Sequence, residues 1–191
     1  MNPNDELGKE SGRLEKAFFA GENASLLDEL RTRTGDEHLR EMLRGVVKIQ
    51  DEAFVNRLIA LGIRPETALA LTLIPLVFVA WADGEMSDLE RNALLEAAQQ
   101  RGVATEHIAR RLLEGFLAHK PDPRLLDLWK TYVGKLWGCF NDDERWAMRR
   151  NLLQSARDVA ESAGGFLGLI SKISPEEKRL LEELQTFLDQ A

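Results

Sequence analysis

The chain has 191 residues, of which 44% are hydrophobic and 30% charged, the balance of an ordinary globular protein and not of a disordered one. A chain of this length buries roughly 70% of its unfolded surface and needs no covalent staples. Its net charge of −7 argues against a nucleic-acid partner, because that affinity comes largely from Lys and Arg displacing condensed cations. Arg145, Arg149, Arg150 and Arg157 share one stretch, but they are interleaved with Asp142, Asp143, Glu144 and Asp158, which reads as a solvated helix face. Cys139 is the sole cysteine. It permits no intramolecular disulfide, as expected of a reducing, cytoplasmic setting. Met1 to Glu6 has neither a basic start nor an apolar core, so no signal peptide is expected.

Helical patterns follow one another along the chain. Leu14, Phe18 and Phe19 predict a first amphipathic helix ending near Gly21, and a second runs from about Ser25 to Arg33. Asp36 can cap a third that carries Leu39, Leu43, Val46 and Val47 on one face. Asp51 opens another with Phe54, Leu58 and Leu61 on a stripe and Gly62 as its C-terminal stop. Pro65 starts a segment that bears no charge from Thr67 to Ala82. As a helix it spans about 24 Å at ~1.5 Å per residue, short of a ~30 Å hydrocarbon core, so it is expected inside the protein and not across a membrane. Pro75 removes one backbone donor there and predicts a kink or break.

Ser87 begins the next helix, which ends near Gly102. Thr105 caps one bearing Ile108, Leu112, Leu113 and Phe116. Asp122-Pro123 is a cap with a first-turn proline, leading Leu125, Leu128, Trp129, Tyr132, Val133 and Leu136. Asn141 opens a long helix to about Ala163, with Trp146, Leu152, Leu153, Ala156 and Val159 expected inward. Residues 164–168 form a glycine-rich loop, and Ser174-Pro175 opens the last helix. Short connections predict side-by-side packing. The expected fold is all-α, a compact bundle of about eight or nine helices with a weak internal two-fold repeat.

The informative segment is Val79-Ala80-Trp81-Ala82-Asp83-Gly84-Glu85-Met86-Ser87-Asp88-Leu89-Glu90. Gly84 permits the left-handed conformation that a sharp helix exit needs. Ser87 and Glu90 have capping-box spacing, each side chain serving a backbone donor of the other. Glu90 also shares a stripe with Ala93, Leu94, Ala97 and Ala98, which turns it inward. Ser174 follows Ser87 by 87 residues and repeats the pattern with Glu177, itself in line with Leu180, Leu181 and Leu184. Met86 and Ile173 precede the two serines alike.

The pattern apolar-x-Ala-Asp-Gly-x-apolar-Ser-x-x-Glu resembles the tellurite-resistance TerB-like family over roughly residues 65–188. The resemblance implies duplicated helical halves with acidic residues at the helix junctions, and a role in a stress or metal-resistance response. It implicates Asp83 and Glu90 in a divalent-cation site, for Ca²⁺ or Mg²⁺, with Glu177 as the second half's counterpart of Glu90. The second turn has Ala163-Gly164-Gly165 in place of Asp83-Gly84, so the two halves are not alike there. Residues 1–50 are expected to be an accessory N-terminal helical region, and the resemblance implies a TerB-like domain over residues 51–191.

Hard cations want several oxygen ligands, and Asp83, Glu85, Ser87, Asp88 and Glu90 crowd one turn. The same residues also serve as a helix exit and a helix cap. The turn is not an EF-hand, because its sixth position is Asp88 and its twelfth Leu94. Other chemistries lack their residues. The positions three before His38, His107 and His119 are Gly35, Ala104 and Phe116, where a ferritin-like site needs Glu. Cys139 lies between Trp137 and Phe140 and reads as a packed thiol. The favoured reading is a non-enzymatic module for an unidentified protein partner, with no catalytic residues. A metal-dependent enzyme using the acidic cluster and a structural or homo-oligomerisation domain are the alternatives. Trp81, Trp129, Trp137 and Trp146 are expected mainly in the core, or else in a groove for a partner helix.

Overall fold

The computed structural model describes residues 3–18, 36–101, 108–162 and 173–191. Among these residues there are nine α-helices and no strand: α1 (Pro3–Phe18), α2 (Asp36–Val47), α3 (Glu52–Ala60), α4 (Pro65–Ala80), α5 (Asp88–Gln99), α6 (Ile108–Ala118), α7 (Arg124–Trp137), α8 (Asp142–Ser162) and α9 (Pro175–Gln190). The protein is an all-α bundle. The helix expected at 25–33, the Thr105 cap and the loop at 164–168 lie outside the described residues.

The bundle is organised around α4. All sixteen of its residues are buried, and it packs against α1, α2, α5, α7, α8 and α9. A helix apolar all round has no polar face to offer water, so it is stable only when enclosed. Each of its Leu, Ile, Val and Phe side chains contributes about 1.5–3 kcal/mol through burial. α3 and α4 meet at a 105° bend, where Gly62 takes φ +75°. Among the described residues no single helix is long and apolar enough to cross a membrane.

Pro75 does not break α4, which is continuous from Pro65 to Ala80. Without its N–H, the i−4 carbonyl of Leu71 loses its helical donor. The indole N–H of Trp129 on α7 donates to that carbonyl at 2.8 Å. Thr72 Oγ1 donates to the carbonyls of Ala68 and Leu69 at 3.1 and 3.0 Å, adding a second side-chain link to the same turn.

The described residues among the first fifty are built into this core. Leu7, Leu14, Phe18, Leu43, Val46 and Val47 belong to the same buried cluster as the residues of α4. Inside it, Ser11 Oγ and Thr67 Oγ1 both donate to Glu15 Oε1, so a buried carboxylate ties α1 to α4. Lys135 on α7 reaches back to Glu6 and Glu10 at 2.8 and 3.3 Å.

Two helix starts differ from expectation by one position. α7 begins at Arg124, and Pro123 stands at the cap with helical angles. Asp122 Oδ1 still accepts the Arg124 N–H at 2.9 Å, so the acidic cap works one residue further on. α2 includes Asp36 itself.

Candidate functional site

α4 ends at Ala80, three residues before the expected exit, and residues 81–84 form the turn. Gly84 has φ +96°, the left-handed conformation that only glycine takes without strain. The Trp81 indole N–H donates to the Phe116 carbonyl at 2.7 Å and Arg91 Nη2 to the Leu117 carbonyl at 3.0 Å. The last turn of α6 therefore gives its open carbonyls to the α4–α5 junction.

Both capping boxes form. Ser87 Oγ accepts the Glu90 N–H at 3.2 Å and Glu90 Oε2 accepts the Ser87 N–H at 2.7 Å. At the head of α9 the corresponding distances are 3.1 Å and 2.6 Å for Ser174 and Glu177. The two glutamates are 3% and 1% exposed, an unusual setting for carboxylates. The stripes behind them explain it: Glu90 lines up with buried Leu94 and Ala98, and Glu177 with Leu181, Leu184 and Leu188.

Burial pushes the Glu90 carboxyl above its ordinary range. The Ser87 hydrogen bonds pull it down, and the charges of Glu177 and Asp83 push it up again. The two helix starts thus place two buried carboxylates within electrostatic reach of each other. Glu177 Oε1 is buried with no hydrogen-bond partner. Asp83 is different. It is exposed, and its Oδ1 accepts the Glu85 N–H at 3.0 Å. Glu85, Ser87 and Asp88 are exposed as well. Among the described residues no group of three or more His, Cys, Asp or Glu side chains is arranged to hold a metal ion.

The tryptophans divide. Trp129 and Trp137 are buried, and Trp81 is half-buried. Trp146, expected inward, is 57% exposed. The inward line of α8 is Met148, Leu152, Ala156 and Val159, and Trp146 lies off it. The Arg150 guanidinium sits 4.9 Å from its ring centroid. Together with Arg149, Leu153, Arg157 and Gln185 it lines a cavity of about 160 Å³ between α8 and α9. Arg149 pairs with Asp189 at 2.5 Å and Arg157 donates to Gln185 at 3.1 Å. Of the four arginines expected on this face, Arg150 is the one that stacks on the exposed aromatic. Cys139 is half-buried and free, with Sγ 3.8 Å from the Lys135 carbonyl.

No family model matches the chain, and comparison with curated proteins and with solved structures finds no significant match.

Proposed function

We propose that the protein is a cytoplasmic, non-enzymatic, TerB-like helical module that docks a protein partner at the α8–α9 face and serves in a stress or metal-resistance response. The supporting observation is Trp146, exposed at 57% and stacked beneath Arg150. Trp and Arg dominate binding energy at protein interfaces, because one supplies a large rigid apolar surface and the other paired donors. The groove's charged lining is Arg149, Arg150 and Arg157. In a chain of net charge −7 such a face suits an acidic segment with an apolar anchor. Selection from a displayed library of random peptides tests this. Acidic sequences carrying an aromatic or aliphatic residue should be enriched by the parent and lost with Trp146→Ala. Enrichment that ignores Trp146 would contradict the reading.

A second reading is a Ca²⁺ or Mg²⁺ ion held by Glu90 and Glu177, with Asp83 as an outer ligand. It is favoured by Glu177 Oε1, a buried carboxylate oxygen that accepts no hydrogen bond. A cation would satisfy that oxygen and relieve the repulsion from Glu90. The internal repeat implied by the TerB-like resemblance belongs to this reading, since it makes Glu90 and Glu177 equivalent. Calcium or magnesium should then raise the unfolding temperature of the parent but not of Asp83→Asn or Glu177→Gln. An unmoved transition in the parent would exclude it.

A further inference from the structure

α5 is followed by Arg101, which turns into the bundle and is 3% exposed. Its Nη1 donates to the Ala97 carbonyl at 2.8 Å and its Nη2 to Ser155 Oγ at 2.5 Å. Its Nε–H is buried without an acceptor. A guanidinium removed from water needs an anion to offset its lost hydration. Asp158 is the carboxylate whose charge reaches it. That side chain is exposed, however, and takes a hydrogen bond from Gln154 at 2.8 Å.

Arg101 lines a cavity of about 160 Å³ together with Lys48, Glu96, Gln100, Ser155 and Asp158. Lys48 follows α2 with φ +54°, a left-handed conformation that a side chain adopts only at a cost. Its Nζ donates to Gln100 Oε1 at 2.6 Å. Burial and the charge of Arg101 hold the Lys48 ammonium below its ordinary range, against the pull of Asp158. Two cations therefore converge on one cavity, and the inner one has an unused donor.

We propose that this cavity binds a small oxyanion, a carboxylate or a phosphate group, between Arg101 and Lys48. The planar guanidinium fork matches either group. Ser155 Oγ accepts from Arg101, which leaves its own hydrogen to donate to the ligand. Glu96 and Asp158 in the lining limit the negative charge the site takes, so a singly charged oxyanion fits best.

The test is a titration of the full chain with sodium acetate and, separately, sodium phosphate at pH 6, each against sodium chloride at equal ionic strength. The readouts are the Arg101 Nε–H resonance and the unfolding temperature. One of the two salts should move both saturably, and which one does identifies the group. Lys48→Met, at an exposed position that leaves the core intact, should weaken that binding by about tenfold or more. Ser155→Ala should weaken it less. Resonances and unfolding temperatures that follow the chloride control for both salts would overturn the proposal. So would an equal response in Lys48→Met.

Discussion

The indole N–H of Trp129 occupies the Leu71 carbonyl, 2.8 Å away, that Pro75 leaves without a helical donor. A proline in the most buried helix of the bundle is thus tolerated because a neighbouring helix supplies the missing hydrogen. Trp129→Phe should destabilise the protein by about 2 kcal/mol or more, from the orphaned carbonyl together with lost packing. Pro75→Ala restores the N–H and should recover about 1 kcal/mol of that loss in the Trp129→Phe background. Urea unfolding of the four members of this cycle measures the coupling. Equal effects of Pro75→Ala in both backgrounds would show that the two residues do not share the carbonyl.

The Glu90 carboxyl gives stability a pH dependence of known sign. Its folded-state pKa is raised by burial and by the charges of Glu177 and Asp83, so the folded state holds the proton more tightly. The associated stability is complete below the unfolded pKa of 4.5 and is lost as pH rises through the folded value. Glu90→Gln keeps a carbonyl oxygen for the Ser87 N–H and removes the titration. Its stability relative to the parent should improve from pH 4 toward neutrality, as read by thermal unfolding across that range. In Glu177→Gln the Glu90 carboxyl should titrate lower, observed by carbon-13 NMR of its side chain.

The two capping boxes should contribute separately. Ser87→Ala and Ser174→Ala each remove the acceptor of one helix-start N–H and should cost about 1 kcal/mol apiece. Ser87→Ala should also raise the Glu90 carboxyl further, since a Ser87 hydrogen bond holds it down. Chemical denaturation and the same NMR titration check the pair.

Several helix starts were readable because they carry caps that act locally. Asp51 accepts the Phe54 N–H at 2.9 Å, and Ser87 and Ser174 close their boxes as their spacing requires. The inward stripes of Glu90 and Glu177 were equally local. The fate of Pro75 was not legible, because its remedy comes from Trp129, a residue far along the chain. Trp146 was misplaced for a related reason. At the margin of a helical stripe, periodicity cannot say whether the neighbouring helix extends far enough to cover a side chain. Leu153 is buried, whereas Trp146 is left open. The Arg101 cavity gave no sequence signal, since its members come from α5, α8 and the residue that follows α2.

The partner-docking account rests most directly on the binding isotherm of a library-selected acidic peptide with the parent and with Trp146→Ala. The substitution should leave the folding free energy within about 1 kcal/mol, because the ring is exposed and loses only a surface cation–π contact. Affinity should fall by about thirtyfold or more, as for other interfacial tryptophan anchors, and binding by the parent should weaken as salt rises. Unchanged affinity in Trp146→Ala, with the fold intact, would contradict a partner site at this face.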